Sequence, residues 1–231
     1  MDSAIISQLR SFADPTRATH SQHYFKTGKG EYGEGDKFLG LTVPQTRSVA
    51  QKFWPEITLP QLLKLLHSAI HECRQVSLMI LTLQYQHQQS QEKIYQLYLA
   101  NTKYINNWDL IDSSAPRIVG DYLLNRPRKI LYKLAKSDSL WERRISIIAT
   151  FAFIAQGDLA DAIKISTVLL HDPHDLIHKA VGWVLREVGK KDQTSLLKFL
   201  ETHAPAMPRT MLRYAIEKLD PVTRRSYLNL R

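Results

Sequence analysis

Apolar side chains recur along most of this chain every third or fourth residue, the spacing of one face of a helix. The segments LPQLLKLLHSA and RKILYKLAKS carry the pattern plainly, and no persistent alternation of apolar and polar positions marks a strand. Capping side chains stand just before prolines at Asp14-Pro15, Thr58 to Pro60, Asp172-Pro173 and Asp220-Pro221. Each combination predicts the first turn of a helix, because the cap accepts a free backbone N–H and proline has none to lose there. Glycine is scarce, and five of the nine, Gly28, Gly30, Gly33, Gly35 and Gly40, crowd into one stretch. The rest reads as helices joined by tight turns, so the expected fold class is all-α.

The helices also repeat. Counting nine residues forward from the leucine that ends a helical segment links Leu65 to Arg74, Leu99 to Trp108, Leu134 to Arg143, Leu170 to Lys179 and Leu200 to Arg209. The leucines lie 34, 35, 36 and 30 residues apart, a helix-pair period that loosely matches HEAT and armadillo arrays. Positions nine and thirteen are four apart and share a helix face. In order they read Arg74 and Leu78, Trp108 and Asp112, Arg143 and Ile147, Lys179 and Trp183, Arg209 and Arg213. Stacked helix pairs set such faces side by side, which predicts a HEAT-like helical-repeat solenoid with a basic concave face. A single domain over 1–231 is expected, with N-terminal helices and a glycine-rich loop (27–40) in 1–57 and the repeat array in 58–231.

Composition narrows the class. A chain of 231 residues with 44% hydrophobic content can bury a substantial core. Cys73 stands alone, so neither an internal disulfide nor a cysteine zinc site is expected, and a reducing cytoplasm fits. The start MDSAIISQLRSFADPTR lacks the form of a signal peptide, and no 18-residue apolar run occurs, which predicts a soluble protein without a membrane partner. Lysine and arginine total 31 against 22 acidic residues, a net charge of +9 that suits a polyanion such as nucleic acid.

The ladder gives this charge a place. Arg74, Arg143, Arg144, Lys179, Arg186, Arg209 and Arg213 could track the phosphates of a duplex without reading its sequence. One acid, Asp112, stands among them with Trp108 and Trp183, near the positive end of a helix that helps keep it ionised. An ionised carboxylate beside aromatic faces suits a sugar that develops positive charge as a glycosidic bond breaks. A base already cationic through alkylation needs no acid to leave, so a single aspartate suffices. Asp109, three residues earlier, could share the face or cap the helix. The histidines of HDPHDLIH match no metal signature and the run TGKGEYGEGD lacks a phosphate-loop G-K-[ST], so no metal or cofactor is expected. The glycine-rich run reads instead as a mobile or DNA-contacting loop.

These residues resemble a known family over nearly the whole chain, from HYFKTGKGEYGEGDKFLGLTVPQTR through NNWDLIDSSAPRIVGDYL and WERRISIIATF to HKAVGWVLREVGKK. W-D-x-x-D and K-A-x-G-W-x-L-R-E are specific in combination. The resemblance is to the HEAT-like-repeat DNA alkylation repair glycosylases, often called AlkD-like. It implies a bacterial, monofunctional and metal-free enzyme that wraps duplex DNA and hydrolyses the N-glycosidic bond of cationic N3- or N7-alkylated purines, without extruding the lesion into a pocket; a monomer is expected. By matching motif, Asp112 would be the catalytic carboxylate and Trp108 and Trp183 would pack against the deoxyribose. Arg144 would contact the backbone near the lesion, and Tyr24 would approach DNA from the N-terminal helices. Two other readings use the same basic face: a non-catalytic DNA-binding scaffold for damaged or branched DNA, and a protein-interaction module for an acidic partner.

Overall fold

The computed structural model describes residues 1–230 and is built from α-helices joined by short turns, with a single isolated β-bridge, Lys37 to Ile70, among the described residues. The chain forms two compact units, Met1–Ser114 and Ala115–Arg231. Among the described residues no helix is long and apolar enough to cross a membrane.

The first unit holds α1 (Asp2–Ser11), α2 (Pro15–Tyr24), α3 (Val43–Phe53), α4 (Leu59–Leu66), α5 (His71–Gln86), α6 (Gln91–Ala100) and most of α7 (Trp108–Ala115). Its starts follow the punctuation of the sequence. Asp14 accepts the Arg17 N–H at 3.0 Å to begin α2, and Thr42 with Gln45 and Thr58 with Gln61 form capping boxes at α3 and α4. Helix α5 is the spine: α1, α3, α4 and α6 all pack on it, and Val76, Leu78, Ile80 and Leu81 are almost wholly buried. Burial on nearly every side explains why its sequence, HECRQVSLMILTLQYQ, lacks a clear polar face.

The glycine-rich stretch is folded onto that spine rather than standing away from it. The buried carboxylate of Glu72, on α5, accepts the backbone N–H groups of Leu39 (3.0 Å), Gly40 (2.8 Å) and Leu41 (3.2 Å). Gly40 has φ +85°, and a Cβ there would sit 2.2 Å from the Asp14 carbonyl, so only glycine lets the strap pass the start of α2.

The second unit holds α8 (Lys129–Leu134), α9 (Leu140–Ile148), α10 (Phe151–Ala155), α11 (Ala160–Val168), α12 (Asp175–Lys191), α13 (Gln193–His203), α14 (Arg209–Ala215) and α15 (Pro221–Leu228). Helix α12 is its spine, touching α9, α10, α11, α13 and α14. At Gly182 the backbone of α14 comes so near that a Cβ would lie 2.5 Å from the Met211 carbonyl. Asp220 caps α15 through two N–H groups, as its proline signal predicts. Asp172-Pro173 behaves differently: His174 caps α12, while Asp172 turns inward to hold Arg143. The architecture is the all-helical repeat that the sequence predicts.

Candidate functional site

Helix α7 carries the residues singled out in W-D-x-x-D. Asn107 lies immediately before it, fully buried, and its side-chain oxygen accepts the Trp108 N–H at 2.9 Å while its carbonyl accepts the Ile111 N–H. Asn107 therefore caps the helix. Trp108 and Asp112 are both half-buried and one turn apart, and Leu110 and Ile111 point into the core. Beneath them the buried Tyr98 hydroxyl meets Ser114 Oγ at 2.9 Å. Burial foremost, and the nearby Asp112 charge, push the Tyr98 phenol well above its ordinary pKa, so it stays neutral beside the carboxylate.

Trp108 stands in a group of aromatic rings. Its ring stacks on Phe25 at 5.4 Å and meets Tyr24 edge-on at 5.9 Å between centroids, and Phe25 stacks in turn on Phe38 at 5.1 Å. Tyr24 is 59% exposed. Tyr24 and Trp108 are thus neighbours, with Tyr24 presented to solvent at the end of α2.

The Asp109 carboxylate reaches α5 rather than capping the helix. Its Oδ2 lies 2.8 Å from His71 Nε2 and accepts from Gln75 Nε2 at 3.2 Å. His71 Nδ1 lies 3.3 Å from Asp36 Oδ2 in the glycine-rich strap, and Arg74 Nη2 holds Asp36 Oδ1 at 2.7 Å. Phe25 and Phe38 lie against the imidazole at 5.0 and 4.7 Å. Burial opposes a charge on His71, but the Asp109 carboxylate, then the hydrogen bonds of Asp109 and Asp36, outweigh it and push its pKa up to about 9. Burial likewise raises the Asp36 carboxyl, and His71 and Arg74 overcompensate, holding it below the usual carboxylate range.

The ladder of basic residues divides into buried and solvent-facing members. Arg74 was expected on a DNA-facing surface but is only 3% exposed, its guanidinium spent on Asp36 and the Ser68 carbonyl. Arg144 is 5% exposed and donates to the Leu176 carbonyl at 2.6 Å. Both side chains hold elements together in the free protein. The thirteenth positions Leu78 and Ile147 are core as well. In these two rungs the thirteenth position faces the core rather than solvent. Arg143 is partly buried and pairs with Asp172 at 2.6 Å.

The remaining basic residues lie nearer solvent. Lys179 pairs with Asp175 one turn before it, Arg186 with Glu217, and Arg209 donates to the carbonyls of Leu228 and Leu230. Arg213 is exposed on α14. Trp183, half-buried on α12, packs its ring on Phe151 at 4.6 Å. Residues that reasoning from sequence did not single out are His71, Asp36, Phe25 and Phe38. Their grouping depends on the strap lying across α5, and no local pattern records that.

No curated protein matches the chain. Among solved structures, one described as "Predicted DNA alkylation repair enzyme from Enterococcus faecalis" is similar over 90% of this chain and 97% of its own, with a TM-score of 0.71 at 16% identity. That likeness shows the fold. The family model for DNA alkylation repair enzymes matches residues 5–219. With an all-helical repeat fold, an aromatic group at Trp108 and that match across most of its length, the chain belongs to the DNA alkylation repair enzyme family, and DNA is its substrate.

Proposed function

We propose that this protein is a monofunctional DNA N-glycosylase that releases cationic N3- or N7-alkylated purines from duplex DNA, with Asp112 as its catalytic carboxylate. The observation that carries this reading is the placement of Asp112 one helical turn from Trp108, itself ringed by Phe25 and the exposed Tyr24. A carboxylate there would stabilise the positive charge that grows on the deoxyribose as the glycosidic bond breaks, and would orient the attacking water. The alkylated base departs as a neutral molecule, so no second acid is required. The half-buried setting lowers the local dielectric and strengthens the interaction with a sugar cation beyond its value in water.

Trp108 and Tyr24 would support the sugar at the lesion, and Trp183 keeps the role that the resemblance implies for it. The exposed Arg213 on α14 would meet phosphates directly, and Arg209, Lys179, Arg186 and Arg143 would do so by exchanging their present partners for the DNA backbone. Arg74 and Arg144 are left out of that role because both are buried and committed.

The test is release of free base from duplex containing N7-methylguanine, comparing wild type with Asp112→Asn. Wild type should release base, and the variant should lose roughly 100-fold or more in single-turnover rate with duplex affinity retained. No release by folded wild type from either N7-methylguanine or N3-methyladenine duplex would overturn the enzymatic reading and leave a DNA-binding scaffold. Undiminished release by Asp112→Asn would move the chemistry to another residue.

A further inference from the structure

The cluster behind α7 is elaborate for a merely structural contact. Asp36, His71, Arg74 and Asp109 come from three separate parts of the chain, the glycine-rich strap, α5 and α7, and His71 is 2% exposed. Each ring nitrogen of His71 faces a carboxylate: Nε2 at 2.8 Å from Asp109 and Nδ1 at 3.3 Å from Asp36. A neutral imidazole has one N–H and can donate to one of them only. Arg74 Nη2 also lies 3.5 Å from Nδ1, but its shorter bond, 2.7 Å, goes to Asp36 Oδ1. With His71 protonated, two carboxylates meet two cations; with it neutral, a net negative charge is left in a dry site, at high cost. Asp109 depends on this arrangement. Its buried Oδ1 has no hydrogen-bond partner among the described residues, so its carboxylate is held from α5 alone, by His71 and Gln75.

We infer that His71, as a cation shared by Asp36 and Asp109, is a positioning residue that fixes the first turn of α7 against α5 and the glycine-rich strap, and so sets where Trp108 and Asp112 stand. Asp109 follows Trp108 directly and precedes Asp112 by less than one turn, so a pull on Asp109 rotates both. The same imidazole carries the Phe25 and Phe38 rings, and Phe25 is the ring on which Trp108 stacks. One side chain thus aligns the helix start and its aromatic neighbours together. The charged groups facing His71 are Asp36 from the strap, Asp109 from α7 and Arg74 from α5. Their balance pushes the His71 pKa up to about 9, so the clamp is closed at neutral pH and opens in alkali.

The catalytic consequence rests on the proposed glycosylase reading, whereas the positioning itself can be read in the free protein. In wild type, long-range proton–nitrogen NMR should find both His71 nitrogens protonated at pH 7. The Trp108 indole N–H resonance should shift with pH at the same midpoint as His71, and that shift should vanish in His71→Gln. A singly protonated His71 at pH 7, or a Trp108 signal indifferent to the His71 titration, overturns the inference without any need for a variant to fold.

The kinetic arm uses single-turnover base release. His71→Gln should lower the rate roughly 10- to 100-fold, as for a small misplacement of reacting groups, with duplex affinity little changed. Adding Asp109→Asn, which removes the uncompensated charge, should restore part of the loss; equal loss in single and double variants overturns the ion-pair basis. Failure of wild type to release any base would count against the glycosylase reading alone, since the NMR arm judges His71 independently.

Discussion

Replacing Glu72 by glutamine should loosen the strap that carries Asp36 and Phe38. Three backbone N–H groups, from Leu39, Gly40 and Leu41, end on this one carboxylate, which is 3% exposed and comes from a different element. Glutamine keeps the shape and one oxygen, and Oε1 is the atom that all three amides reach, so acceptors are not lost outright. What is lost is the negative charge. Hydrogen bonds to a charged group are worth about 1.5–3 kcal/mol against about 1 for neutral ones, which puts the expected cost of Glu72→Gln at about 2 kcal/mol. Glu72→Ala leaves three buried donors unsatisfied and should cost clearly more. Urea denaturation followed by circular dichroism measures the total, and amide hydrogen exchange reports the site. Protection at Leu39, Gly40 and Leu41 should fall about 30-fold, the equivalent of 2 kcal/mol. A Glu72→Gln protein within about 0.5 kcal/mol of wild type, with those three amides equally protected, would refute the idea that the carboxylate anchors the strap.

Other outcomes follow from the same geometry. Because the folded pKa of His71 is raised from 6.5 to about 9, its contribution is full below pH 6.5 and is lost as pH climbs through 9; the shift corresponds to about 3 kcal/mol. Denaturant melts at pH 6, 8 and 10 should show wild type losing its advantage over His71→Gln, and a pH-independent difference would contradict this. Gly182→Ala places a Cβ 2.5 Å from the Met211 carbonyl and should destabilise the second unit by about 1–3 kcal/mol despite the better helix propensity of alanine, measurable by thermal unfolding. Arg128 joins Asp158 and Asp161 at 2.6 and 2.7 Å and lies over the Phe153 ring at 3.8 Å. Arg128→Met leaves the two acids facing each other and should cost about 2 kcal/mol, less than for a fully buried pair because the Asp158 side chain is 42% exposed. Restoring stability by adding Asp161→Asn would attribute that loss to charge.

The sequence by itself determined the elements and their order. Helical spacing of apolar residues and cap-proline pairs are local signals, and Asp14, Thr58 and Asp220 mark helix starts as they predict. Asp112 and Trp108 were legible for the same reason, being one turn apart on one helix. Tertiary structure decided which face of each helix is dry. A basic residue at a repeat position can meet solvent or a buried partner, and the partner of Arg74 is Asp36, on the strap 38 residues earlier; that of Arg144 is the Leu176 carbonyl, 32 residues later. It also decided that Asp109 meets His71, 38 residues earlier on α5. Ion pairs and buried hydrogen bonds are satisfied by whatever the fold brings within about 3 Å, and no periodicity records a distance across the chain.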